Sequence, residues 1–325
     1  MFTGTDDDTM NVTRVAGDIF RPSPAVLIRA ADAALTGIRV RDHVRVRPGI
    51  YAPAGEWAGL APWERYLARV HAYARVNPHA VFSLESAAAL LGLPLFGHPR
   101  HIHTVDVGGT SRAYGDVRVH ASTDDCDTVT DAGISATGLA DTSIALMRVL
   151  PPAFGLAVGD AARARGVDSE DLQTLADASS ARRGRSTLRW LLPRLTRYSE
   201  SVGESVSRAV IEWCGFAMPE IQAETTVEGH AYRLDFFWRT ARVAGESDGY
   251  GKYSGDAATT TAALIREKQR EDRLRRHLAG FARWSMADAL QVAPLQHALL
   301  SAGVPLVAPP RTPLLRSVAH NPRSH

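Results

Sequence analysis

Residues 230–253 read HAYRLDFFWRTARVAGESDGYGKY, and the order of apolar and charged side chains there decides how the last third of the chain folds. Side chains alternate across a strand, so Tyr232, Leu234, Phe236 and Trp238 share one face and Ala231, Arg233, Asp235 and Phe237 the other. Asp235 is then a carboxylate inside an apolar, aromatic strand, a costly position unless something partners it. After a turn at Arg239-Thr240 the chain runs back as RVAGESDGY, where Glu246 and Asp248 stand two apart and point to one side. Gly249 and Gly251 then give the backbone room to bend before Lys252.

Just upstream, VGESVSRAVIEWCG (202–215) has helical spacing, with Val206, Val210 and Trp213 or Cys214 turned inward and Glu204 set to pair with Arg208. Helix and strands can therefore bring Glu204, Asp235, Glu246 and Asp248 to one point. Mutual repulsion opposes that gathering without a cation, and Mg²⁺ (or Mn²⁺) accepts such oxygen ligands while keeping several waters. A hard cation there can polarise a phosphoryl oxygen and acidify a bound water, with Lys252 orienting that water or steadying the developing charge. The competing reading is a set of ion pairs, Asp235 with Arg233 or Arg242 and Glu246 with Lys252.

Beyond the site, ALIREKQREDRLRRHLAG (263–280) reads as a highly charged helix with Glu271–Arg275 and Asp272–Arg276 pairs. A short strand FARW and a final helix through Leu300 follow, and the tail from Pro309 is expected to be unstructured. The ordered set GES…R, RLDFFW, ESDGYGKY, REKQREDRL and GFARWSMADAL resembles the very-short-patch-repair-like branch of the PD-(D/E)xK nuclease superfamily. That resemblance implies a restriction-endonuclease-like sheet flanked by helices, Mg²⁺ at Asp235 and Glu246, Glu204 assisting from the helix, and DNA as substrate. The superfamily's usual lysine two residues after the glutamate is Asp248 here, and Lys252-Tyr253 supplies a basic residue before an aromatic instead.

The front half resembles type IV, AbiEi-type abortive-infection antitoxins through RVRPGIYAP, FSLESAAALLGLPLFG and GISATGLADTSIALM. Residues 1–20 look disordered, and Pro22 and Pro24 precede a short apolar helix through Ala34. In IRVRDHVRVRPGIYAP, strict alternation sets Ile38, Val40, Val44 and Val46 against Arg39, Arg41, Arg45 and Arg47. Two strands around Asp42-His43 account for it: either a basic ribbon that completes a partial winged-helix-like unit (21–55) and turns Arg39, Arg41, Arg45 and Arg47 toward DNA, or a small surface hairpin. Residues 56–200 read as a mixed α+β, antitoxin-like body, 201–305 as the endonuclease-like domain with its own core, and 306–325 as a flexible tail. In the body, Ser83 and Gly92 bracket a helix, strands HIHTVDV and DVRVHAS flank GGTSRAYG, and four histidines (His98, His101, His103, His120) read as polar residues on an exposed sheet face rather than a metal site. Six arginines between Arg182 and Arg197 have no acidic residue among them, which suits a solvated face or phosphate contacts equally.

The net charge of +2 over 325 residues permits nucleic-acid binding without announcing it. Cys126 and Cys214, far apart, fit a reduced cytoplasmic protein, and no apolar run reaches membrane-span length. Two functions follow: a Mg²⁺-dependent DNA endonuclease or nickase in defence or repair, or an antitoxin or transcriptional autorepressor, partnered by a toxin, whose nuclease-like domain does not cut.

Overall fold

Local turn chemistry sets the frame of the C-terminal sheet. A computed structural model describes residues 19–32, 42–248 and 268–324. Within them Ser201 caps helix Val202–Cys214 by accepting the Glu204 N–H, and Gly215 ends it at φ 87°. Strand β10 (Glu220–Val227) turns through Glu228-Gly229 into β11 (His230–Trp238), which pairs antiparallel with β12 (Val243–Asp248). A helix over 268–277 then returns the chain so that β13 (Gly280–Ser285) lies parallel to β12. The result is a mixed four-stranded sheet in the order β10-β11-β12-β13.

Each face of that sheet is covered. Phe236, Trp238, Val243, Ala282 and Trp284 pack against Val206, Ala209, Val210 and Trp213 of helix Val202–Cys214. Phe237, Ala244 and Phe281 take Leu274 of the 268–277 helix on the opposite face. Gly245 is demanded by the first packing: a Cβ there would lie 2.6 Å from the Trp284 ring and 3.1 Å from that of Trp238. The glycine thus holds β12 close under two indoles immediately before Glu246.

The middle of the chain builds a six-stranded mixed sheet in the order β6-β7-β5-β4-β9-β8, from β4 (Val81–Phe82), β5 (Ile102–Val107), β6 (Arg112–Tyr114), β7 (Val117–Ser122), β8 (Thr128–Asp131) and β9 (Ile134–Thr137). Strands β5 and β7, expected as neighbours across GGTSRAYG, do pair, but in parallel, because that connection contains β6 antiparallel to β7. Helix Leu84–Leu91 ends at Gly92, φ 72°, as its sequence indicates. Helices Leu139–Val149, Pro152–Ala164 and Arg185–Leu191 pack on one another, and Pro152–Ala164 packs onto helix Val202–Cys214.

Two sequence boundaries therefore look different in three dimensions. Leu146, Met147, Phe154, Leu156, Leu188 and Leu191 share one buried cluster with Val210, Trp213, Phe236 and Trp284, so a single core runs across residue 200. The arginine-rich stretch contributes Leu188 and Leu191 to it while Arg182, Arg183, Arg189 and Arg197 stay outside. The tail is docked as well: the Val307 and Ala308 N–H groups donate to the Gly215 carbonyl, Arg311 N–H to Trp213, and Val318 is buried. Proline-rich sequence without periodicity reads as loop, yet here backbone bonds to a helix C-terminus hold it.

The N-terminal three-stranded sheet has the order β1-β3-β2, with β1 (Ile28–Arg29), β2 (His43–Arg47) and β3 (Ile50–Pro53). Ile28 and Arg29, read from sequence as helical, are instead a strand edge paired with Tyr51 and Ile50. The ribbon partner of Val44–Arg47 is Ile50–Pro53 across Pro48-Gly49. Residues 1–18, Arg39 and Arg41 lie outside the described residues. Among the described residues no helix is long and apolar enough to cross a membrane.

Candidate metal and nucleic-acid site

Asp235 and Glu246 come together because β11 and β12 are antiparallel. Phe236 pairs with Gly245, so one further step along the register faces Asp235 with Glu246 on the same side of the sheet. Asp235 Oδ2 accepts the Ser247 N–H at 2.9 Å, which ties the carboxylate to the backbone beside Glu246. Glu204 approaches from the first turn of its helix, where its carboxylate accepts the Glu200 N–H at 3.0 Å and the Ser201 hydroxyl at 2.9 Å. A fourth residue joins them: the Gln222 amide nitrogen on β10 is 2.8 Å from Glu204 Oε2 and 3.5 Å from Asp235 Oδ1. Burial holds the Glu204 carboxyl above the usual glutamate range, the nearby Asp235 adds to that, and the bonds from Glu200, Gln222 and Ser201 oppose it.

Gln222 is the residue that sequence reading missed. Its φ of 49° is a left-handed conformation rare for a side-chain-bearing residue, inside an otherwise regular strand. Register places it opposite Asp235, between the Ile221–Phe236 and Ala223–Leu234 pairs. Its N–H dipole supplies partial positive charge between two carboxylates. The only sequence signal was a polar residue flanked by Ile221 and Ala223, and that pattern equally describes a solvent-facing position.

Glu246 and Asp248 each meet an arginine. Arg270, on the 268–277 helix, donates to Glu246 Oε1 at 2.8 Å, and both side chains are largely buried. Arg283, opposite Glu246 on β13, reaches past it to Asp248 Oδ1 at 2.7 Å and to Glu271 Oε2 at 3.2 Å. The ion-pair partners expected from sequence, Arg233 and Arg242 for Asp235, lie elsewhere: Arg233 bonds Glu200 at 2.7 Å and Arg242 bonds the His277 carbonyl. Lys252 lies outside the described residues. The donors Glu204, Asp235 and Glu246 are all oxygen ligands, partly desolvated and carrying like charge, so they fit a hard divalent cation and not a thiophilic one. Among the described residues no three such side chains already stand at ligand spacing; Arg270 and Arg283 neutralise part of the set.

The expected Glu204–Arg208 pair is replaced by a longer-range one. Arg208 donates to Asp160 of helix Pro152–Ala164 at 2.8 Å and to the Arg194 carbonyl at 2.6 Å, leaving Glu204 for the strand side. Asp160 also accepts the Ser205 hydroxyl and the Thr196 N–H.

The arginines expected to face DNA divide. Arg45 is exposed, whereas Arg47 donates to Asp116 at 2.7 Å and stacks 4.6 Å from the Tyr73 ring centre. A register shift between Arg45 and Arg47 explains the difference, because one extra residue turns Arg47 to the opposite face. Arg275 and Arg276 extend from the same helix as Arg270 and pair with Glu271 and with Glu228 of the β10–β11 turn.

In the body, His98 is exposed and His101 and His120 are partly covered, whereas His103 does not sit on an exposed face. His103 is buried, its Nδ1 is 2.8 Å from His120 Nε2, and its Nε2 is 3.5 Å from Glu85, which Arg323 of the docked tail grips with two bonds. Burial, reinforced by Arg323, His120 and His101 against the pull of Glu85, pushes the His103 imidazole down to about 3. Among the described residues no acidic side chain beyond Glu85 joins the pair closely enough to make a ligand set.

The chain is 31% identical over 196 residues to the uncharacterized protein MT2308 of Mycobacterium tuberculosis strain CDC 1551 / Oshkosh, a match covering 59% of this chain and 69% of that one. Identity and coverage are the same for the uncharacterized protein Rv2248 of strain ATCC 25618 / H37Rv. No family model and no solved structure matches the chain.

Proposed function

The chain belongs to the same family as these two mycobacterial proteins, and for it we propose a Mg²⁺-dependent DNA phosphodiesterase, an endonuclease or nickase, acting through Glu204, Asp235 and Glu246. The observation that carries this reading is the juxtaposition of Asp235 with Glu246 on adjacent strands, with Glu204 linked to Asp235 through Gln222. The resemblance of the C-terminal third to very-short-patch-repair-like nucleases supports it, since the same residues occur in that family's order. Bound there, Mg²⁺ or Mn²⁺ would polarise a phosphoryl oxygen and lower the pKa of an attacking water.

The chain's own residues divide the remaining work. Asp235 and Glu246 hold the cation, with Ser247 N–H keeping Asp235 oriented. Glu204, raised in pKa by burial and by Asp235, is suited to taking a proton from water. Arg270, Arg275 and Arg276 offer charge to the phosphate backbone, and Arg270 must release Glu246 to the cation and turn to phosphate as the complex forms.

A second reading rests on a specific observation: Glu246 and Asp248 are already neutralised by Arg270 and Arg283. Such an arrangement is stable without metal, and it suits an AbiEi-type antitoxin or autorepressor that binds DNA and a toxin without cutting. Supercoiled plasmid incubated with the full-length protein and Mg²⁺ or Mn²⁺ separates the two. The enzyme reading expects nicked or linear product that disappears in Glu246→Ala; uncut but shifted plasmid under every divalent ion leaves the binding role.

A further inference from the structure

The arginine-rich stretch is a charged feature that the carboxylate site does not use, and its backbone is braced. Arg148, in the last turn of helix Leu139–Val149, donates to Ser179 Oγ and to the carbonyls of Ala181 and Arg183. Asp124 accepts the Ser179 hydroxyl and the Ser180 N–H. Gly184 turns the chain at φ 78°, where a Cβ would run into the Arg148 carbonyl. Leu188 and Leu191 then anchor helix Arg185–Leu191 in the shared core. Arg182, Arg185 and Arg189 are therefore carried on a fixed scaffold, and all three are exposed.

Charge around them is unbalanced. Among the described residues no ion pair answers Arg182, Arg185 or Arg189, whereas Arg47 and Arg69 share Asp116 and Arg208 holds Asp160. The nearest acid on the facing helix is Asp177, which lines a groove with Arg185 and Arg189; Glu170 and Asp171 stand about two turns earlier on that helix, Ser169–Ala178. Arg183 instead lines a cavity with Asp124, Asp125, Asp141 and Arg148, where acids outnumber bases. Beside Arg189, Trp190 donates to Glu212, and that one carboxylate carries two arginines, Arg194 at 2.6 Å and Arg311 at 3.3 Å. Five arginines thus meet two acids, Asp177 and Glu212, across this face. Arg148 registers the crowding: burial lowers its pKa, Arg185 lowers it further, and Asp124 opposes both.

We propose that Arg182, Arg185 and Arg189 form a second DNA contact, one that grips the phosphate backbone irrespective of sequence. It rests on the reading of the chain as a DNA phosphodiesterase and adds an anchor to it. A planar guanidinium can meet two phosphate oxygens at once, and a braced loop loses little freedom in doing so. Among the described residues no large apolar side chain is exposed between positions 179 and 194. A protein partner needs such anchors at the centre of its interface, whereas a phosphate backbone needs only charge. The anchor is distinct from Arg270, Arg275 and Arg276, because Trp190 meets helix Val202–Cys214 at Glu212, about 12 Å of helix beyond Glu204.

Affinity of the full-length protein for a labelled DNA duplex, measured against salt and without divalent cation so that nothing is cut, tests this. Glutamine at all three positions should weaken binding about tenfold or more and lower the log–log salt slope by about two to three, since each lost phosphate contact removes about 0.9. Lysine at the same positions keeps the charge and should keep the slope, which a role in folding alone does not predict. Arg185 also donates to the Ser179 carbonyl, so Arg182→Gln with Arg189→Gln spares that bond and should lower the slope by about two, with the melting temperature as folding control. Three results would overturn the second contact and leave the phosphodiesterase reading standing: duplex affinity and slope unchanged in the glutamine variants, an equal loss of slope in the lysine variant, or glutamine variants that lose binding to poly-glutamate but keep the duplex, which would assign the face to an acidic protein. A wild type that binds no duplex overturns both.

Discussion

Replacing Arg208 by methionine removes the clamp between helix Pro152–Ala164 and the helix that carries Glu204. The Arg208 and Asp160 side chains are only 10% and 2% exposed, so the substitution strands a carboxylate away from water. Breaking one side of a buried pair typically costs about 3–5 kcal/mol. Two bonds to Asp160 survive, from Ser205 Oγ at 2.7 Å and Thr196 N–H at 2.8 Å, which puts the expected loss near the lower end, about 3 kcal/mol at neutral pH. Burial already raises the Asp160 carboxyl above the aspartate range despite Arg208, and losing the guanidinium raises it further. A carboxyl whose folded pKa exceeds its unfolded value favours the fold at low pH, and that contribution is lost as pH rises through the folded value. The Arg208→Met penalty should therefore be smaller at pH 5 than at pH 8 in urea unfolding, and Asp160→Asn with Arg208→Met should recover part of it. A penalty under about 1 kcal/mol, or one independent of pH, would refute the claim that this pair is desolvated and structural.

Three further expectations concern packing and charge. Gly245→Ala drives a methyl to 2.6 Å from the Trp284 ring, so the melting temperature should fall, with a cost of about 1–3 kcal/mol; an unchanged melt would mean the indoles can withdraw. Arg45→Glu should weaken DNA binding and flatten its salt dependence by about one phosphate contact without unfolding the protein, whereas Arg47→Glu should mainly destabilise the fold, because Arg47 answers Asp116; equal effects on DNA binding would contradict the bulged register. A fragment beginning at Arg197 should lack a sharp cooperative melt, since it uncovers the core shared with Leu188, Leu191, Leu156 and Met147; a cooperative transition matching the full-length protein would show that the shared core is dispensable.

How far the sequence could be read depended on whether the physics was local. Alternation in RLDFFW and the helical spacing of residues 202–215 located β11, its charged face and the preceding helix, because periodicity acts within a few residues. Ser83 and Gly92 likewise bracket a helix as read, although Ser83 makes no cap bond. Partner choice was not local. Glu204 and Arg208 stand at ideal helical spacing, yet Arg208 bonds a residue 48 positions earlier and Glu204 bonds Gln222, 18 positions later. A β-bulge leaves no mark in an alternating string, so Arg45 and Arg47 read alike and fold apart. Strand β6 was hidden in a stretch rich in turn residues, and the β8–β9 hairpin turns at Ala132-Gly133 with no apolar run long enough to flag it. The docked tail has no periodicity at all; its order comes from backbone bonds to Gly215 and from Arg323 on Glu85.

Magnesium linkage to folding, compared between the wild type and Asp235→Asn, tests the carboxylate site most directly. If Asp235 and Glu246 hold a cation, Mg²⁺ or Mn²⁺ at a hundredfold excess over its dissociation constant should stabilise the wild type by about 2.7 kcal/mol, seen as a raised melting temperature. Asp235→Asn keeps an oxygen able to accept the Ser247 N–H, so the metal-free variant should be as stable as the wild type or more so, and should lose the metal response. No metal-dependent rise in the wild type, together with a destabilised Asp235→Asn, would contradict the account and identify the carboxylates as structural partners of the surrounding donors.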